Sequence, residues 1–326
     1  MKKCFKILSI FLIFIAIFSF GTHIFASDVN SSLAEKKANS FLNSLGGKHK
    51  INNPIILKDL NDNNTAVSFS IDDKGYIIID LKNLSVVEMS LDNNNPFLNI
   101  KNPIFNGPLN YYQKTKKGFL SLKDDSLLQK NEFKIVYGET KNVPKRTDEN
   151  IYYPFASTNT VKVLSGSLKK WYIDGNNCGS IASAITMRYY YDNVNKKYVD
   201  SNKISENSLI ALMQHYVGAG KTTYPQVVNG LNNYFTSRKL NNFARAERGF
   251  NFNKLQNRIY NNRPVIIGTD NDQKYGNHWI IGHGYAIIRD SVTTTNYAIV
   301  NDGWRHNNIW INIKASSLDG LIYFSD

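Results

Sequence analysis

The sequence predicts an α+β protein whose second half divides into a helical part and a sheet part with a cleft between them. Three observations lead there. Helical patterns at residues 178–191, 209–216, 224–235 and 252–262 come before a run of short strands that reaches residue 324. Ahead of them, one amphipathic helix and a group of alternating strands make a smaller α+β unit. The two are separated by residues 141–150, a charged, Pro-containing stretch without apolar periodicity that reads as an exposed, cleavable linker.

Taken in order, the chain opens with Met1-Lys2-Lys3-Cys4-Phe5-Lys6 and an almost unbroken apolar run to Phe20, closing on the small residue Ala26. A basic start, a short apolar centre and a small residue at the end predict a secretory signal peptide over residues 1–26. The expected localisation is secreted or cell-surface. The apolar run is shorter than a membrane span needs, and nothing downstream is long enough. Two cysteines are encoded, and Cys4 falls in the leader. Cys178 is therefore the only thiol of the mature chain, which makes it a candidate for reactivity.

Residues 27–43 are expected to be helical, because Leu33, Ala34, Ala38, Phe41 and Leu42 fall near one face. Strands follow at residues 65–71, 76–79 and 86–89, with turn chemistry at Asp73-Lys74-Gly75. This unit, residues 27–149, contains no nucleophile, metal cluster or phosphate loop. In residues 150–326 the helices carry their own signals, such as Pro225 near the start of the third. The strands are placed at residues 264–268, 278–281, 285–288, 297–300, 309–313 and 321–324. Net charge is +13, with most of the excess after residue 150. Such a surface suits cell-wall polyanions or acidic substrates, and a plain solvated basic face is the simpler explanation. No motif supports nucleic acid as a partner, and no cofactor or metal is expected.

The chemistry gathers in three places. Asn176-Asn177-Cys178-Gly179 delivers a cysteine to the start of a small-residue helix, where backbone N–H groups favour thiolate. His278 opens the strand His278-Trp279-Ile280-Ile281-Gly282-His283-Gly284-Tyr285. The next strand ends in Asn301-Asp302-Gly303-Trp304, and antiparallel pairing is expected to bring Asn301 to His278. A cysteine nucleophile needs a histidine base and a third group that orients it. His283 competes with His278, five positions along the same strand. His215 and His306 read as structural or solvated.

In the order Cys, His, Asn these motifs resemble those of the papain-like cysteine peptidases, closest to the streptopain type and to bacteriocin-processing, peptidase C39-like bacterial enzymes. The resemblance covers about residues 150–326 and implies a papain-like two-lobed fold, with a helical half carrying the cysteine and an antiparallel half carrying His and Asn. It implies a small α+β prodomain in residues 27–149. By this resemblance Cys178 is the nucleophile and His278 the base and later acid. Asn301 orients the imidazole and Trp304 shields that contact. The spacing of Gly284-Tyr285 favours His278 over His283. The family's oxyanion-hole Gln is missing: Tyr172 stands six residues before Cys178, leaving Asn176 or Asn177 as the second donor. The implied function is a secreted peptidase made as a zymogen, with protein or peptide substrates and its own prosegment as partner. A cell-wall peptide amidase or acyltransferase with the same triad, and a catalytically weak binding protein of this fold, are the alternatives.

Overall fold

This computed structural model describes residues 31–133, 137, 159–269, 278–289 and 293–325. The expected leader and the linker at residues 141–150 lie outside the described residues. Among the described residues no helix is long and apolar enough to cross a membrane.

Helix α1 (residues 31–44) forms where Ala34, Ala38, Phe41 and Leu42 recur at helical spacing, and all four are fully buried. A meander of β1 (Ile51–Lys58), β2 (Asn64–Ile71), β3 (Tyr76–Asp80) and β4 (Val86–Ser90) follows. Its alternation serves two buried faces rather than one. Val67, Phe69, Ile71, Ile77 and Ile79 meet α1. Ala66, Tyr76, Ile78 and Val87 meet Phe97, Phe105 and Tyr111 on the other side. β5 (Pro103–Phe105) joins β1 in parallel, and β6 (Tyr111–Thr115), β7 (Gly118–Ser121) and β8 (Leu127–Leu128) extend the sheet antiparallel.

After β9 (Thr160–Val163) come α2 (Cys178–Asn193), α3 (Glu206–Val217) and α4 (Tyr224–Ser237), then β10 (Ala244–Arg248) and α5 (Phe252–Tyr260). Five strands complete the chain: β11 (Val265–Thr269), β12 (His278–Arg289), β13 (Thr294–Asn301), β14 (Ile309–Asn312) and β15 (Leu318–Phe324). The molecule is thus α+β, with helices beside one large mixed sheet. α2 is apolar or small almost all round and buried from Gly179 to Met187, the pattern of a helix enclosed by its neighbours. Ile181, Ile185 and Tyr189 share a core with α3, α4, α5 and the strands β11 to β15.

One 15-stranded sheet, in the order β10-β15-β11-β12-β13-β14-β4-β3-β2-β1-β5-β6-β7-β8, runs through the whole chain, with β9 paired on β12. The N-terminal block and the rest meet where β14 pairs β4, Trp310 opposite Met89 and Ile311 opposite Glu88. Around this seam α1 packs on both: Phe41 lies edge-on to Tyr297 at 5.8 Å and to Trp310 at 6.5 Å between ring centroids.

Candidate active site

The turn that ends in Cys178 takes left-handed backbone twice, at Gly175 (φ 91°) and Asn176 (φ 54°). It stops the incoming chain and turns it into α2. Asn177, the residue before the helix, gives it no side-chain cap. Its Nδ2 donates to the Asp174 carbonyl at 2.8 Å, and its Oδ1 accepts from Gln214 Nε2 and the Gly220 N–H, both at 3.0 Å. That side chain ties the turn to the far end of α3, with one Nδ2 hydrogen committed to Asp174. Asn176 and Asn177 both line the cavity in front of Cys178. Gly179 lets the helix start sit close to its surroundings, since a Cβ there would run into the Thr222 hydroxyl and lie 3.3 Å from the Trp279 ring.

Cys178 is partly exposed and has no disulfide. The expectation of a lowered thiol pKa is reversed in this state. Burial pushes the Cys178 thiol up, and the N–H groups of Trp279, Gly179 and Cys178 itself offset only part of that. The Trp279 contact places the sulfur against the first residues of β12, because Trp279 follows His278 directly.

His278 begins β12, paired with Thr269 at the end of β11. Its Nε2 donates to the Asp302 carbonyl at 2.8 Å. A carbonyl only accepts, so Nε2 carries the proton and Nδ1 is the ring nitrogen left to take one. The Trp304 ring stacks on the imidazole with centroids 3.6 Å apart and planes at 24°. Burial, and then the charge of Lys123, lower the His278 pKa to about 3. Cys178 and His278 line one cavity of about 470 Å3, together with Trp304, Tyr172 and residues of the N-terminal block.

Asn301 lies elsewhere than expected. β12 and β13 pair in a register that sets Asn301 opposite Ile281, not His278. The Asn301 side chain is fully buried. Its Nδ2 donates to the Lys169 carbonyl at 3.3 Å and to Asn307 Oδ1, and its Oδ1 accepts from the Gly303 N–H at 2.9 Å. Asn301 therefore builds the turn, and the next residue's main chain holds the imidazole. The Asp302 carboxylate fixes that turn from inside: Oδ1 accepts from the Trp304 N–H at 2.7 Å and the His306 N–H at 3.1 Å, and Oδ2 meets His306 Nδ1 at 2.9 Å. Burial works against its charge, but His306, Lys123 and the Trp304 N–H outweigh it and hold the Asp302 carboxyl below the usual range. His306 is thus a half-exposed structural partner of the site's turn. His283 sits at an irregularity of the ladder between Gly282 and Gly284, buried, with Nε2 accepting from the Asn308 N–H at 3.4 Å.

The position of the family's Gln is held by Tyr172. Its N–H donates to Glu206 Oε1 at 2.9 Å and its carbonyl accepts from Arg305 Nη2 at 3.1 Å. Among the described residues no group of His, Cys, Asp and Glu is arranged to hold a metal ion.

The α+β fold is compatible with a peptidase domain. A family profile described as the Peptidase_C39 like family matches residues 156–319, half of the chain, and the chain belongs to that family. The match contains Cys178, His278, Asn301, Asp302 and Trp304. A comparison with curated proteins gives no match.

Proposed function

We propose that this chain is an exported cysteine peptidase, kept as a zymogen by its N-terminal block, with Cys178 as nucleophile and His278 as general base and then general acid. The observation that supports this most is the shared cavity: Cys178 stands at a helix start facing it, and His278 enters it with Nε2 tied to a carbonyl and Nδ1 unclaimed. In the forward step Nδ1 takes the thiol proton and the sulfur adds to a peptide carbonyl carbon. The oxyanion formed there accepts from the Cys178 N–H and from Asn176. Collapse transfers the proton from Nδ1 to the departing amine and leaves a thioester. Water, deprotonated by the same nitrogen, then releases the acid and restores the thiol.

The prosegment reading is supported by where the N-terminal block sits. Tyr111, Tyr112, Ser121, Lys123 and Asp124 line the cavity along with Cys178, so an extended substrate and the seated block compete for one space. The test is casein hydrolysis by the full chain before and after a cut within residues 138–158, with Cys178→Ala as control. Activity that appears on cutting and needs Cys178 supports both parts. Equal activity before and after removes the zymogen part, and Cys178-independent activity removes the peptidase.

A further inference from the structure

We infer that Lys123, carried by the N-terminal block, sets the charge state of the catalytic pair: its ammonium, placed over Trp304 beside His278, keeps the imidazole neutral while the block is seated. This rests on reading Cys178 and His278 as the catalytic pair, and it adds a second restraint to simple occlusion of the cleft.

Lys123 lies in the turn between β7 and β8. Its Nζ is buried and has no hydrogen-bond partner among the described residues. It stands 4.1 Å over the Trp304 ring and 5.0 Å over the Tyr111 ring. The same Trp304 ring is stacked on His278 at 3.6 Å. Burying an ammonium without hydrogen bonds is costly, and burial lowers the Lys123 pKa from its ordinary value while Asp302, Glu88 and Asp124 favour the charged form. What holds it are two aromatic faces and nearby carboxylates.

The charged and titratable groups around it come from three elements. The turn after β13 supplies Asp302, with His306 behind it. β4 supplies Glu88, whose carboxyl accepts from Tyr76 OH at 2.5 Å, from Tyr111 OH and from the Leu109 N–H at 2.7 Å, and whose pKa burial raises. The β7–β8 turn supplies Asp124. His278 faces Lys123, Asp302 and Asp124 in turn. The buried Asp302 carboxylate, bonded to His306 and the Trp304 N–H, is the natural counter-charge for an imidazolium, and while the block is seated Lys123 shares its field without bonding it.

The step under restraint moves one proton. The Cys178 S–H bond breaks, an N–H bond forms at His278 Nδ1, and the pair becomes thiolate and imidazolium. A second cation against the same indole opposes that product and leaves the neutral pair in place.

The test is the rate at which iodoacetamide alkylates Cys178 in the full, uncut chain, read as intact mass from about pH 5 to 8. Lys123→Met, neutral and of similar length, is expected to react about tenfold faster than wild type near pH 6, the change one pKa unit carries. Lys123→Arg should stay close to wild type, and the gain should vanish in Lys123→Met combined with His278→Ala. Lys123→Gln, read the same way, serves if methionine disturbs the packing. A neutral variant that reacts at the wild-type rate overturns the inference. So does a gain that persists without His278, since Lys123 would then act only as a plug. Either result leaves the peptidase reading standing, because that reading depends on Cys178-dependent hydrolysis by the cut chain.

Discussion

Two of the contacts between the N-terminal block and the rest of the chain are built from opposite materials. At the seam, β4 and β14 exchange backbone hydrogen bonds, and Phe41, Met89, Tyr297 and Trp310 pack into one apolar core. At the cleft, the contact is a buried lysine between two aromatic rings with carboxylates around it. Apolar burial and strand pairing are nearly indifferent to pH and salt, whereas a contact made of charges responds to both. The difference separates anchoring from control. The seam is the apolar attachment, and the cleft contact is the one that conditions can loosen. Cutting the connection between the two units would remove the tether and leave the block held by these contacts alone.

The comparison can be broken or sharpened by variants. The largest effect is expected from Cys178→Ala, which leaves both contacts intact. Hydrolysis by the cut chain should fall by about a thousandfold or more, with an unchanged melting temperature. Phe41→Ala strikes the seam. Loss of a fully buried ring in contact with Tyr297 and Trp310 should cost about 3–5 kcal/mol in denaturant unfolding. After cutting, that variant should shed residues 31–133 on size-exclusion chromatography at a higher protein concentration than wild type does. If wild type sheds them as readily, the seam is not the anchor. Asn176→Ala acts at the cleft floor and should lower kcat about a hundredfold without moving stability. An unchanged kcat would assign the oxyanion's second donor to another group.

The smallest effect concerns pH. Burial lowers the His283 pKa to about 4 and that of His278 to about 3, below the ordinary histidine value. The unfolded chain then binds protons that the folded chain refuses, so stability is full above about pH 6.5 and is lost as pH falls toward the folded values. Each histidine should cost about 1 kcal/mol between pH 6 and pH 5. His283→Gln, which removes one of the two, should show a shallower decline than wild type over that interval. Glu88, whose pKa is raised, changes stability in the opposite sense and is common to both proteins. An identical decline in the variant would mean that His283 titrates normally.

What was legible in the sequence followed the range of the signal. Cys178, His278 and Trp304, which line one cavity, stand out in the sequence because short motifs mark them: a turn before a small-residue helix, a His at a strand start, an aromatic after Asn-Asp-Gly. Asn301 was misplaced because adjacency of two strands does not give their register, and a shift of three positions hands the imidazole to the Asp302 carbonyl. That Asn177 also ties the turn to Gln214 and Gly220 was not legible, because they lie 37 and 43 residues away. Lys123, in a Ser-Leu-Lys-Asp-Asp run, has the local pattern of a solvated turn, and only tertiary packing buries its tip. The β4–β14 pairing joins strands more than 200 residues apart, with no local trace that they are neighbours. Strands β5 to β8 escaped because they are short and alternate poorly.

Strand β9 has a consequence for a chain cut upstream of it. Its four residues are laddered to Gly284–Ile287 of β12. Asn159, just before it, accepts from the Arg289 N–H at 3.0 Å and donates to the Ser44 carbonyl at 3.3 Å. Proteases need an extended, unpaired backbone to thread into their own clefts. A fragment cut anywhere upstream can be nibbled only until the nibbling enzyme meets this hydrogen-bonded ladder, where trimming stalls. Ragged first cuts would converge on a single N-terminus near Asn159, and N-terminal sequencing after limited digestion with an aminopeptidase would read it.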